Sequence, residues 1–475
     1  MMELEGWIPF LTIILPFVVA SSWLLSRRAF GSLSVIELSP YGLAFWMGLQ
    51  AQALWGAYLM MWGSRNYIGL ERVDGDLPYI LTTVAVDYAV LALPLAMILI
   101  ARAARYDPVS DINRYRAAQI LPQESAGDVE LFVVLALWTL VSIAIAGVIF
   151  SRGSPLLLLL VGNSDIADLA RARVALIYLN EWQRILNNIV GGSFTALLVY
   201  ATYAAALMRA QLRWWVLFAV LLVPSVIVQA SSLAKAPVAQ LLVGLLLVHV
   251  MVRGRLRPRT IGVFVTVVLG ALGAAYALAQ TDLLLGVDTV GVLGADNPLG
   301  RTLIGQLVGV PNYLQIFPGE HPFLMGSELQ VLGLFGYQPE SAAKIAMEIY
   351  LPESVAAQTI GVQNTFFIGA AYANFGWPGV ALAPIWVAAV LLIAQRATLA
   401  LPKTPLGVAI AVWTMYQFVR AIGGGFVSEF TVNTNVVGTL LLALTTWLMV
   451  RAVAVIRSSR TATATAVSSP SLVDP

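Results

Sequence analysis

The chain has 475 residues, 59% of them hydrophobic and 11% charged, with a net charge of +2 and no cysteine. A soluble globular chain carries about 25% charged residues, so this composition excludes an ordinary water-soluble domain. The absence of cysteine excludes disulfides, thiolate chemistry and Cys-ligated metals.

The charges are pushed out of long apolar runs, which reads as an all-α polytopic membrane protein. A helical crossing needs about 20 apolar residues, and lipid offers an open backbone no hydrogen-bonding partner. Eleven segments qualify, at roughly 7–25, 41–62, 79–101, 129–150, 187–208, 214–231, 238–252, 260–279, 375–394, 404–421 and 435–455. The first has Glu3 and Glu5 ahead of it and Arg27 and Arg28 behind, the reverse of a secretory signal, so it reads as an uncleaved helix. Residues 1–457 form a single integral-membrane domain. The Ser/Thr/Ala/Pro-rich stretch 458–475 reads as a disordered cytoplasmic tail. There is no repeat of short period, and no pair of matching halves with broken helices of the kind many transporters show.

Alternate loops hold 17 of the 27 Lys and Arg residues, from Arg27 and Arg28 through Arg102–Arg116, Arg209–Arg213, Arg253–Arg259 and Arg396–Lys403 to Arg451–Arg460. The positive-inside rule makes these loops cytoplasmic. The N-terminus is then outside, the C-terminus inside, and two long loops, about 151–186 and 281–364, are extracytoplasmic.

The first long loop holds an LLLLL patch at 156–160 and an amphipathic helical stretch, as an interfacial helix would. Asp168 with Arg171, and Glu181 with Arg184, are three apart and suit helix-surface pairs. Arg173 has no acidic residue three or four positions away, so it either faces a group outside its helix or snorkels to lipid headgroups. Lys235, in the turn SSLAKAP, either anchors to lipid phosphate or supplies a point charge to a phosphate-bearing substrate.

The second loop, Thr281 to Asn364, is mixed in charge. It reads as a Pro-started helix carrying Arg301 and Gln306, a break at Gly309–Pro311, and a short helix with Tyr313 ending at Pro318. Arg301 lies in a first turn, where the helix dipole favours anions, so stability alone does not explain a cation there. Lys344 and Glu348, on a helix over 341–353, are a solvated i,i+4 pair. His321 and Glu328 occupy the Gly/Pro-rich stretch between. Within the spans, Asp87 is a functional candidate because an intramembrane carboxylate is costly; a structural partner on a neighbouring helix is the alternative. Arg420 closes the tenth span, followed by Gly423–Gly425 and Glu429. Nothing in the motifs calls for a nucleotide, nucleic acid, metal or other cofactor.

Arg171, Arg173, Lys235, Arg301 and Arg420 come from separate outer segments and together suit an anion beside the membrane, such as a lipid-linked pyrophosphate. Arg301, Gln306, Tyr313, Phe317 and Pro318 in an R-x4-Q-x6-Y-x3-FP run, the LARARVALIY helix, the SLAKAP turn, FLMG at 323–326 and FIGAAYANFGWPGV at 367–380 carry a resemblance. The chain resembles the O-antigen, or oligosaccharide repeat-unit, polymerases of bacterial envelopes. That family usually has Glu after the first Gly of the last motif; here Ala370 stands there, leaving Asn364, Tyr372 and Asn374 as polar groups at that mouth. The resemblance implies a metal-independent membrane glycosyltransferase that joins undecaprenyl-pyrophosphate-linked oligosaccharides at the outer leaflet of the bacterial inner membrane. Its partners would be a flippase and a chain-length regulator. Arg301 and Arg173 would hold the pyrophosphate, with Arg171, Lys235 and Arg420 in support. Glu328, Asp87, Glu429 and His321 are the candidates for a base. An O-antigen ligase and a lipid-linked oligosaccharide flippase are the rival readings.

Overall fold

The computed structural model describes residues 6–65, 67, 69–121, 127–151, 154–161, 166–175, 183, 185–232, 235–266, 270, 298–356 and 363–467. Among them every regular element is helical and there is no strand. The protein is an all-α polytopic membrane protein, with eight helices long and apolar enough to cross a bilayer among the described residues.

The chain starts with α1 (Trp7–Phe30). Next comes α2 (40–61), started by Pro40 and capped by Ser39, whose Oγ accepts the Gly42 N–H at 2.9 Å; its middle, Ala44–Trp55, has π-type winding. Then follow α3 (Leu77–Ala103), α4 (Pro108–Ala117), α5 (Gly127–Ser151), α6 (Pro155–Val161) and α7 (Ile166–Ala175). The helix α8 (185–209) opens with a second π-wound stretch, Ile185–Phe194. It leads to α9 (Leu212–Ala230), α10 (Lys235–Arg253) and α11 (258–266). The long loop contributes α12 (Pro298–Leu303), α13 (Gly309–Ile316), α14 (Ala342–Tyr350) and α15 (Pro352–Ala356). Last come α16 (Phe367–Leu399), α17 (Pro405–Ala421), the short α18 (Val427–Phe430) and α19 (Thr434–Val467).

The eight spans are α1, α3, α5, α8, α9, α10, α16 and Val427–Ser459. The second and tenth expected spans, 40–61 and Pro405–Ala421, are also helical. Of the eighth, 258–266 is helical, and 267–269 and 271–279 lie outside the described residues.

The bundle is apolar both in its core and on its flanks. The helix α8 is its axis: Thr195–Leu207 is buried residue after residue. Its run of Ala and Thr lets α9, α10 and α17 approach closely, the usual role of small residues between membrane helices. Large apolar side chains on α1, α16 and α19, such as Phe17, Ile393 and Leu441, face outward, where lipid replaces water.

The loops sort into two ends. At the first, Arg116 donates to the carbonyls of Glu37 and Leu38, Lys403 Nζ to those of Arg116 and Ala118, and Leu256 N–H to that of Ile36. Arg209 pairs with Asp128 at 2.8 Å and Arg457 with Glu130 at 3.0 Å. These are the loops expected on one side from their basic residues. At the second end, Asp74 N–H donates to Gln315, Gly309 N–H to Asn364, and Phe367 N–H to Ile422.

Three expectations are corrected. The helix α19 runs to Val467, past the expected start of a disordered tail at 458, with no proline or glycine to break it before Pro470. The break in the long loop falls at 304–308, not at Gly309–Pro311. Pro311 instead sits in the first turn of α13, where a missing N–H costs no intrahelical bond. Finally, the ninth span starts earlier than 375, at Phe367.

Candidate functional site

The motif FIGAAYANFGWPGV forms two helical pieces joined at Gly376, whose φ of +63° is open to glycine and strained for other residues. A Cβ there would also stand 3.0 Å from the Phe323 ring. The break leaves carbonyls at the end of the first piece without helical partners, and the long loop supplies donors. Leu324 N–H bonds the Ala373 carbonyl at 3.1 Å, Met325 N–H the Asn374 carbonyl at 3.0 Å, and Gly326 N–H the Asn374 Oδ1 at 3.1 Å. This clasp brings Glu328 over the helix.

Glu328 is half-buried and held by both oxygens. Oε1 accepts the Ala342 N–H at the start of α14 at 2.8 Å, and Oε2 accepts from Asn374 Nδ2 at 2.6 Å. Asn374 Nδ2 also bonds the carbonyl of Ala370, one turn back, at 2.9 Å. Withdrawal from water raises the Glu328 pKa above the ordinary value, against the pull of those two hydrogen bonds. A carboxylate in this state is a stronger proton acceptor than one in water.

The segment after α17 joins this seat to a second group. Ser428 Oγ–H donates to the Glu328 carbonyl and accepts the Gln330 N–H at 3.3 Å. Beside it, Glu429 accepts from Asn433 Nδ2. Arg420 ends α17, exposed, with a hydrogen bond to Gln417 at 3.2 Å. Tyr200 lies over Gly244 of α10 so closely that a Cβ at 244 would stand 1.8 Å from its hydroxyl oxygen.

Arg301 belongs to α12, which is tucked against α2: the Leu303 carbonyl would be 2.2 Å from a Cβ at Gly56. Gly56 is five residues before the end of α2, about 8 Å at 1.5 Å per residue. The backbone next to Arg301 therefore packs beside α2 about one and a half turns before that helix ends. The side chains of Arg301, Arg173 and Lys235 lie outside the described residues, as do Glu181 and Arg184 entirely. Arg171 pairs with Asp168 at 2.9 Å on an exposed helix face, as its spacing suggests. Lys344 and Glu348 form the expected exposed pair at 3.6 Å.

The remaining candidates scatter. Asp87 is buried between helices, accepting from Tyr58 at 2.9 Å, while Tyr58 also donates to the Leu11 carbonyl at 3.1 Å. The intramembrane carboxylate thus meets a tyrosine and not an arginine, and no described hydrogen bond or ion pair links it to Glu328. Tyr313 is fully buried, edge-on to Phe317. Tyr372 is buried, with its hydroxyl on the Phe317 carbonyl at 3.1 Å. His321 sets Nδ1 2.8 Å from the Pro322 carbonyl. Gln306 lies in the 304–308 turn, and Asn364 gives its carbonyl to Gly309.

Ser428 and Tyr200 escape a reading of the sequence. The Gly423–Gly425 run marks a close approach of backbone, which could point to Ser428; nothing in one sequence singles out Tyr200 among the aromatic residues of the spans. No family model, curated protein or solved structure matches the chain.

Proposed function

We propose that the chain is a membrane glycosyltransferase that polymerises undecaprenyl-pyrophosphate-linked oligosaccharide repeat units on the outer leaflet of the bacterial inner membrane. The product is a surface polysaccharide: O-antigen, capsule or exopolysaccharide. The carrying observation is the Glu328 carboxylate bound to Asn374, one turn along from Ala370. The resembled family has a glutamate at the position of Ala370; here a carboxylate reaches the same helix from the loop.

In this reading a sugar hydroxyl of one lipid-linked unit attacks the anomeric carbon of another. A new C–O bond forms, the bond from that carbon to the pyrophosphate oxygen breaks, and the hydroxyl proton passes to Glu328. Charge grows on the departing pyrophosphate, and preorganised cations lower the barrier as it does. Arg301 and Arg173 take that role, with Lys235, Arg171 and Arg420 around them. The bond energy comes from the substrate, so neither nucleotide nor metal is required.

Two things support the reading beyond Glu328. The short helix bearing Arg301 packs against α2, and the cations at the opposite end are held by carbonyls and carboxylates. Deleting the gene and separating surface glycans on a gel tests it. The expected result is glycan capped with a single repeat unit. Long chains still at the surface would overturn the reading. Long lipid-linked chains held back would point to a ligase, and units retained inside to a flippase. In the wild-type background, Arg301→Ala and Arg173→Ala should each abolish extension while the protein still inserts.

A further inference from the structure

The segment Glu328–Gln330 is fastened from two sides. On one side the Glu328 carboxylate is held by the Ala342 N–H and by Asn374, and Asn374 is itself locked by Gly326 and Ala370. On the other side one hydroxyl holds the main chain. Ser428 Oγ–H donates to the Glu328 carbonyl, and the same oxygen accepts the Gln330 N–H at 3.3 Å. A serine hydroxyl offers one hydrogen and two lone pairs. A single oxygen thus closes over Leu329 and fixes the main chain before and after it.

That oxygen stands on a firm base. Two residues on, the Phe430 ring is buried and stacks on Phe418 of α17 at 6.2 Å. The Phe430 carbonyl accepts Trp386 Nε1–H of α16 at 2.9 Å. Ser428 is therefore tied to two long helices, and Thr434 Oγ1 adds a bond to Gln330 Oε1 at 3.5 Å. A glutamate side chain has three rotatable bonds between its main chain and its carboxylate. Here both ends are pinned, so the carboxylate stays withdrawn from water.

We propose that Ser428 is a positioning residue for Glu328, holding the main chain so that the carboxylate keeps its seat on Asn374. This rests on the reading of Glu328 as the base. Ser428 acts through Glu328, with no contact of its own to sugar or pyrophosphate. The titratable groups on the elements around the seat are engaged elsewhere or stay neutral. Glu340 accepts from Ser327 at 3.2 Å, Glu429 from Asn433, and Lys344 and Glu348 of α14 pair with each other. Burial, and after it the Glu328 charge, push the Tyr313 phenol of α13 well above its usual value, so it keeps its proton while Glu328 titrates.

The test has two readouts. In full-length protein in nanodiscs, the Glu328 carboxyl is titrated by infrared difference spectroscopy, with Glu328→Gln as the blank. In cells lacking the gene and carrying each variant, surface glycan is separated on a gel and scaled to folded protein. The wild-type midpoint should lie above that of an exposed glutamate. Ser428→Ala frees the segment and admits water, so the midpoint should fall toward the exposed value and extended glycan should drop about tenfold or more. Ser428→Thr keeps the hydroxyl and should restore both. Ser327→Ala is the control, since that hydroxyl is next door in sequence but serves the exposed Glu340. A purely structural serine would lower the unfolding temperature in Ser428→Ala and leave the midpoint where it was, which overturns the proposal. So does a loss that Ser428→Thr fails to restore, or one that Ser327→Ala matches. Wild-type chains in Glu328→Gln would instead remove the base itself, and the positioning role with it. Loss of extension in Glu328→Gln beside an unmoved midpoint in Ser428→Ala removes the positioning role alone.

Discussion

The two ends of the bundle use charge in opposite ways. At the basic end, Arg116 and Lys403 give their donors to backbone carbonyls, and Arg209 and Arg457 to carboxylates. These cations tie loops together, so their function is mechanical. At the other end a carboxylate, Glu328, is withdrawn from water and held on two donors, while Arg420 is exposed beside a glycine run. A charge already satisfied by the fold has little left for a ligand. The contrast is in what the fold does with its charges: at one end they join loops, and at the other a carboxylate is held in a costly state.

The most severe challenge to that contrast is Glu328→Gln. It keeps the shape of the side chain but removes the proton acceptor, and a positioned general base contributes about 100-fold or more in rate. Chain extension by purified protein should fall by at least that factor. A variant with near wild-type rate would return Glu328 to a purely structural role. One of the two donors on it loses its acceptor, so the variant should also unfold somewhat more easily, by about 1–3 kcal/mol.

At the other end, Lys403→Met should do the reverse. It leaves the carbonyls of Arg116 and Ala118 without their buried donor, at about 1–3 kcal/mol of stability. The rate per folded molecule should be unchanged. A loss of rate with stability intact would break the division between the ends.

The pH dependence sharpens the comparison. The Glu328 pKa is raised in the folded protein, so its ionised form is lost as pH falls through that raised value. The acid limb of the rate profile should therefore lie at higher pH than an exposed glutamate gives, and should vanish in Glu328→Gln. The same shift means that the folded state binds this proton more tightly than the unfolded one. Its contribution to stability is present at pH below the unfolded value and is lost as pH rises through the folded value.

The smallest effect is expected at Lys344→Ala. The pair with Glu348 is exposed and 3.6 Å long, so its loss should change stability by about 0.5 kcal/mol or less and leave the rate alone.

The bundle was legible because membrane insertion is written in local composition. Apolar runs marked the helices, and Arg and Lys alternation grouped loops that do meet, such as those of Arg116 and Lys403. The site was only half legible. Glu328 stood out as a carboxylate of the long loop and Asn374 as a polar group near a mouth, but a contact across 46 residues leaves no periodic trace. Pro311 was misread because proline suits the first turn of a helix as well as a break. Asp87 drew notice for its cost in lipid, yet its partner Tyr58 is unremarkable in sequence because tyrosines are common in spans. The burial of α8 on all sides was equally hidden, since an apolar helix reads the same against lipid and against protein.

The approach of Tyr200 to Gly244 constrains how such a chain can change. A methyl group at 244 would overlap the hydroxyl oxygen of Tyr200 and crowd the ring carbon that bears it. Losing the hydroxyl alone, as in Tyr200→Phe, does not clear that carbon. Position 244 can accept a side chain only in a background that has already shortened residue 200, whereas residue 200 can shrink first at no steric cost. The two sites thus have a preferred order of substitution, and combinatorial variants at 200 and 244 should show it as survival of one single mutant and not the other.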